Sequence, residues 1–264
     1  MTCTHLILYL VGFLYTGLFT IDNPTSQNEW QTIFNGKNLD GWRIKIAHHP
    51  VDENYLNTFR VEDGKLIVSY DEYDEFNGLF GHIFFDEKLS HFKLRLQYRF
   101  VGEQAAGAPD WAYKNSGIKF HAPSPEDIPL DQELLVAIEA QLLGGNGKDP
   151  RPTGNVCTAG THIEMEGVLR TQHCINSSSP TFHGEEWVTA EIEVHGNEKV
   201  IHRINGKEVL SYEHPQLDDS DEFARQLMAS GVPRMLSSGY IALQAESHPV
   251  EFRNIQLMRL PAGE

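Results

Sequence analysis

The chain has 264 residues, and 21 Lys and Arg against 37 Asp and Glu give it a formal charge of −16. Hydrophobic residues make up 40% and charged residues 22%, which excludes a disordered chain, while the length admits one large β domain or two smaller ones. The acidity, with no basic run, argues against nucleic acid as a partner, because phosphate binding is driven by clustered Lys and Arg.

Residues 6–19 (LILYLVGFLYTGLF) form an apolar run too short to cross a bilayer comfortably, and polar residues follow at once. Residues 1–22 therefore read as a signal peptide, or as an N-terminal anchor, since the amino end lacks Lys and Arg. Either reading sends the protein to an exported location: periplasmic, extracellular or surface-anchored. Cys3 leaves with a cleaved leader, so the mature chain keeps Cys157 and Cys174. In an oxidising compartment that pair is a candidate disulfide; two buried free thiols are the alternative.

From Trp30 onward, short apolar or alternating runs stand between turn signals at 36–41, 62–65, 196–199 and 205–207. Leu66, Ile67 and Val68 follow one turn. Phe92, Leu94, Leu96, Tyr98 and Phe100 alternate with Lys93, Arg95, Gln97 and Arg99. Residues 188–194, 200–204 and 208–210 read as an antiparallel meander, and 240–243 with 250–257 close the chain. Only two stretches look helical: 218–228, acidic at its start, and a turn or two within 126–135. Many short strands without βαβ alternation mean a β sandwich, all-β with one or two short helices, in a single domain over 28–260.

The outward faces of the strands carry the chemistry. A two-residue period stacks side chains i and i+2 on one side of a sheet. It pairs Lys119 with His121, Glu139 with Gln141, His162 with Glu164, and Gln244 with Glu246 and His248. Arg95 lies on a similar face. Singly each pair is solvent decoration; gathered on one sheet they form a polar groove suited to a carbohydrate. Trp111, in a Gly/Ala/Pro-rich loop, is a candidate stacking ring beside Asn115, and Trp42 and Trp187 read as core aromatics.

Several ordered motifs are similar to one family. Ile33-Phe34-Asn35-Gly36-Lys37-Asn38-Leu39-Asp40-Gly41-Trp42 resembles the opening of the 3-keto-disaccharide hydrolase family. Matches follow at Phe59-Arg60-Val61-Glu62-Asp63-Gly64, Asn115-Ser116-Gly117-Ile118, Glu139-Ala140-Gln141, Gly184-Glu185-Glu186-Trp187 and Gly239-Tyr240-Ile241-Ala242-Leu243-Gln244. The resemblance implies a concanavalin A-like jelly roll of two antiparallel sheets. It also implies cleavage of a disaccharide or glycoside already oxidised at C3 by an upstream glycoside dehydrogenase. The segments 155–162 and 244–249 depart from the commoner family pattern, which leaves the sugar open.

A C3 ketone acidifies the C2 proton, so a base removes it, the C1 group leaves, and water adds to the enone. This chemistry needs a base, a cation for the enolate and an acid for the leaving group. His248 or His162 suits the base, Lys119, Arg95 or Arg253 the cation, and Glu139 or Glu246 the acid. Asn115, His121, Gln141, Gln244, Arg95 and Trp111 suit substrate contacts. Ordinary hydrolysis by two carboxylates is disfavoured within the Glu139 strand, where Gln141 is neither donor nor nucleophile. His162, Glu246 and His248 also make a metal-competent donor set, and a loop-built calcium site is equally open. A non-catalytic carbohydrate-binding module, or a surface-interaction protein, is the alternative to an enzyme.

Overall fold

A computed structural model describes Met1 and residues 28–262. Beyond Met1, the leader expected over 1–22 lies outside the described residues. In chain order the strands are β1 (Gln31–Thr32), β2 (Trp42–Ile46), β3 (Phe59–Glu62), β4 (Lys65–Val68), β5 (Gly81–Leu89), β6 (His91–Phe100), β7 (Asn115–Ala122), β8 (Ala137–Leu143) and β9 (Asn155–Ala159). They continue as β10 (Thr161–Met165), β11 (Val168–Arg170), β12 (Cys174–Ile175), β13 (Val188–His195), β14 (Lys199–Ile204), β15 (Lys207–Leu217), β16 (Gly239–Ala245) and β17 (Val250–Arg259), with helix α1 (Glu222–Ala229) between β15 and β16.

These strands build two antiparallel sheets. One has ten strands, in the order β11-β10-β15-β14-β13-β6-β17-β4-β3 with β1 on β17; the other has seven, β12-β9-β8-β7-β16-β5-β2. The alternation in β6 is realised in full: Phe92, Leu94, Leu96, Tyr98 and Phe100 are buried. In register with them across β13 lie Val194, Ile192, Ala190 and Val188. From the seven-stranded sheet Ile83, Ile118, Phe120, Ile138, Leu142, Ile241 and Leu243 complete one continuous core. Each such side chain contributes about 1.5–3 kcal/mol of transfer free energy. Tyr98 spans the layers and satisfies its hydroxyl on Thr153 Oγ1 at 2.7 Å.

The meander β13-β14-β15 forms as expected, its last hairpin closed by Asn205 and Gly206, both at positive φ (49° and 79°) as a type I′ turn requires. α1 begins later than the acidic run suggests. Asp221 is the N-cap, its carboxylate accepting from Ala224 N–H at 2.8 Å, while Asp218 folds back onto Ser220 before the helix starts. Within 126–135 only one 3-10 turn forms, at Pro125–Asp127. Trp42 is a core aromatic, but Trp187 is not. It lies on the outer face of the ten-stranded sheet between the guanidinium groups of Arg253 and Arg99, at 3.9 and 4.7 Å.

Cys157 and Cys174 are disulfide-bonded and tie the two-residue strand β12 to β9. After β9 the chain turns through Gly160 (φ 61°) and enters the ten-stranded sheet as β10, so neighbours in sequence here belong to different layers. Among the described residues no helix is long and apolar enough to cross a membrane.

Candidate active site

The outer face of the seven-stranded sheet is where the polar alternation converges. Cys157, Glu139 and Lys119 are register partners across β9, β8 and β7, and Ala242 of β16 follows opposite Lys119. One step along, Asn155, Gln141 and Gly117 pair across β9, β8 and β7, while Gln244 and His82 pair across β16 and β5. With Trp111 and Leu134 from flanking loops and Glu246 beyond the end of β16, these rows enclose a cavity of about 350 Å³. That is within the range of small-molecule sites.

At its floor Lys119 Nζ donates to Glu139 Oε2 at 2.5 Å, with both side chains buried. A buried ion pair survives only with close geometry, since breaking one costs about 3–5 kcal/mol. Gly117 provides the room. A Cβ there lies 2.5 Å from Glu139 Oε1 and 2.7 Å from its Cγ, so glycine lets the carboxylate lean across β7.

Glu246 lines the same cavity and is itself buried. Burial, and next the Glu139 carboxylate, push its carboxyl up to about 8 against the opposing pull of Lys119 and the Gln244 amide. At neutral pH it is thus a protonated acid. Gln244 Nε2 donates to its Oε1 at 3.1 Å, whereas Glu246 Oε2, Gln244 Oε1 and Asn115 Oδ1 are buried with no hydrogen-bond partner among the described residues. Buried polar atoms are nearly always satisfied, so three such atoms on one wall mark a surface built for a polar ligand.

The backbone that presents Glu246 is strained. Ser247 is buried in the left-handed region at φ 84°, a conformation costing a non-glycine residue about 1–3 kcal/mol. Three contacts hold it: Ser247 N–H donates to Tyr70 OH at 2.8 Å, Gln104 Nε2 to Ser247 Oγ at 2.9 Å, and Ala105 N–H to Ser247 O at 2.9 Å.

The rim is aromatic on one side and histidine-bearing on the other. Trp111 is 56% exposed, its ring stacked on Phe80 at 5.9 Å and 11°. Opposite, the disulfide forms part of the wall, and His173 lines the cavity just before Cys174. His173 is absent from the sequence reading. The signal for it is its position beside Cys174, because pairing that cysteine with Cys157 brings the imidazole alongside β9.

Lys119, Glu139, Gln141, Asn115, Gln244, Glu246 and Trp111 therefore meet in one cavity; five other expected residues do not join them, among them Arg253, which lies over Trp187 on the ten-stranded sheet. His162 is in β10 of the ten-stranded sheet, 3.3 Å from Asp218 Oδ1. Arg95 is in β6 of that sheet, its guanidinium 4.0 Å over Trp30 and its Nε donating to Gln256. His121 follows Lys119 by two residues, but the β7–β16 register shifts between Tyr240 and Ala242, and His121 adopts φ 52°. The bulge re-aims the ring, so Nε2–H donates to Gly196 O at 2.9 Å and burial holds the imidazole at about 4. His248 follows the Ser247 twist and is buried edge-on against Tyr113 and Phe100, at 5.0 and 5.7 Å. Burial, then Lys114 and Arg151, depress it to about 4. His162 is thus not gathered with Glu246 and His248 as a metal donor set, and among the described residues no group of three or more His, Cys, Asp and Glu is arranged to hold a metal ion.

Comparison with known proteins places this geometry in context. Residues 29–258 match the 3-keto-alpha-glucoside-1,2-lyase-like domain. A candidate glycosyl hydrolase of Parabacteroides distasonis ATCC 8503 is 18% identical with a TM-score of 0.50, over 88% of this chain and 94% of that one. A second from the same organism is 20% identical with a TM-score of 0.48, over 88% and 100%. The carbohydrate-binding module CBM66 of Bacillus subtilis is 9% identical with a TM-score of 0.48, over 83% and 95%. At such identities the likeness concerns the fold alone. No curated protein matches the sequence.

Proposed function

The chain belongs to the 3-keto-alpha-glucoside-1,2-lyase-like family, and from that premise we propose that it cleaves a C3-oxidised glycoside in the cavity on its seven-stranded sheet. The observation that carries this reading is the pairing of a buried cation with a protonated acid: Lys119, fixed by Glu139, beside Glu246 raised to about 8. A 3-keto glycoside needs both. The cation stabilises the enolate oxygen formed when C2 loses its proton, and the acid delivers a proton to the departing C1 oxygen. Asn115 and Gln244 offer acceptors to sugar hydroxyls. The Gln141 oxygen accepts from Asn155 Nδ2 at 2.9 Å, which leaves the Gln141 amide N–H groups to donate. Trp111 offers a flat apolar surface to a pyranose face.

The chemistry requires an upstream reaction that oxidises the C3 hydroxyl, a dehydrogenase-class step. The disulfide accords with export to an oxidising compartment. Of the two carboxyls that the sequence offered as the acid, this reading takes Glu246, just beyond the end of β16.

Turnover of a 3-keto glucoside and of its unoxidised parent by the purified protein tests the proposal. Release from the keto substrate alone is expected, falling about 10²–10⁴-fold in Glu246→Gln. Saturable binding without release makes the protein a carbohydrate-binding module; equal release from the parent glycoside points to carboxylate-pair hydrolysis.

A further inference from the structure

The proposed reaction lacks a base, and both histidines that the sequence offered lie outside the cavity. We infer that His173 is the catalytic base that takes the C2 proton, an inference that rests on the 3-keto reading above.

His173 is the only histidine among the residues lining this cavity, which it shares with Lys119, Glu139 and Glu246. Its orientation is fixed twice by one neighbour. Thr158 N–H donates to His173 O at 2.7 Å, and the His173 ring contacts Thr158 O through Nδ1 at 3.2 Å. A carbonyl oxygen only accepts, so Nδ1 carries the hydrogen and the neutral ring has its basic lone pair on Nε2. An orienting group on one ring nitrogen and a reactive lone pair on the other is the arrangement by which hydrolytic triads aim an imidazole, here with a backbone carbonyl as the orienter. The disulfide anchors the segment: Cys174 is bonded to Cys157, and Cys157 is the register partner of Glu139. The base, immediately before β12, and the Lys119–Glu139 pair on β7 and β8 are thereby held in one sheet, with β9 between them.

The balance is closed. Nε2 of His173 takes the C2 proton, and the C2–H electron pair forms the C2=C3 bond of an enolate whose O3 faces Lys119. Collapse restores C3=O and forms C1=C2. The C1–O bond breaks with its electrons going to the leaving oxygen, which receives the Glu246 proton. The products are an unsaturated 3-keto sugar and an alcohol. Addition of water across C1=C2 turns elimination into net hydrolysis, and solvent returns the proton from His173 to Glu246.

The test compares wild type, His173→Ala and His173→Gln on a 3-keto glucoside, with and without imidazole in the buffer, while following deuterium uptake at C2 in D2O. The ring is exposed, so folding is expected to survive, and a circular dichroism melt checks it. The expected result is a kcat loss of about 10²–10⁴-fold with KM changed less than about threefold, parallel loss of C2 exchange, and partial recovery of the alanine variant with imidazole. Wild-type turnover with kcat and C2 exchange retained in His173→Ala overturns the assignment and leaves the 3-keto reading standing. Retained folding with activity lost but no imidazole rescue assigns His173 a structural role and likewise overturns it. Absence of wild-type turnover defeats the underlying reading itself.

Discussion

Gly117→Ala perturbs the site through a residue with no side chain of its own. The backbone there is outside the left-handed region, so alanine is conformationally acceptable and the whole effect comes from one methyl group. That methyl would lie 2.5 Å from Glu139 Oε1 and 2.7 Å from both Cδ and Cγ. Carbon contacts settle near 3.5–4.0 Å, so the Glu139 side chain must retreat by about 1 Å. A flexible carboxylate at a surface would swing away cheaply. This one is buried, clashes at Cγ as well as at its tip, and is tied to Lys119 at 2.5 Å. Overpacking costs about 1–3 kcal/mol, rising toward about 3–5 kcal/mol if the ion pair opens. A displacement of this size at a reacting centre costs about 10²-fold in rate. Urea denaturation gives the first quantity and turnover of a 3-keto glucoside the second. Glu139→Ala removes the obstacle, so adding Gly117→Ala in that background is expected to cost less than about 0.5 kcal/mol. Equal costs in both backgrounds, or an unperturbed single variant, refute the account of Gly117 as the space that seats Glu139.

Glu246→Gln gives a pH signature with a definite sign. The folded carboxyl is raised from 4.5 to about 8, so the native state holds a proton that the unfolded chain has released, and stability falls as pH rises through that window. The slope is at most about 1.4 kcal/mol per pH unit. The glutamine variant is expected to match wild type in urea near pH 4.5 and to exceed it at pH 7.5; a constant difference contradicts the raised acid. Activity of wild type is expected to decline above about pH 8 as the acid ionises. Cys157→Ser with Cys174→Ser opens a loop with a sequence separation of 17. About 3 kcal/mol of stability is expected to go with it, read by thermal melt, and kcat falls as His173 loses its anchor; full activity excludes the disulfide wall from the site. Trp111→Ala is expected to raise KM about tenfold with little change in Tm, because the ring is mostly exposed and stacking is worth about 0.5–1.5 kcal/mol. An unchanged KM removes Trp111 from the sugar site.

The sandwich was legible because many of its strands are half-buried and alternate with period two, most plainly in β6 and β13. The same period correctly put Lys119, Glu139, Gln141 and Gln244 on the outside of their strands. It carries no information on which of two outer faces a strand occupies, and for that reason Arg95 and His162 lie on the other sheet. Periodicity also fails wherever the backbone leaves the pleat. A bulge turns His121 inward, and the left-handed Ser247 separates His248 from the Gln244–Glu246 face. His173 belongs to no alternating run at all. The long-range pairing of β12 with β9, locked by the Cys157–Cys174 bond, brings it to the cavity, and that is information a linear pattern lacks.

The central claim is spatial: a sugar sits on the seven-stranded sheet, between Trp111 and Glu246 and over the Lys119–Glu139 pair. A crystal structure of Glu246→Gln soaked with a 3-keto glucoside measures this directly. The account predicts a pyranose ring in the 350 Å³ cavity, its C3 oxygen within hydrogen-bond reach of Lys119 Nζ and its C2 facing His173. A sugar bound instead on the arginine–tryptophan surface of Trp187, Arg99 and Arg253 on the opposite sheet contradicts it.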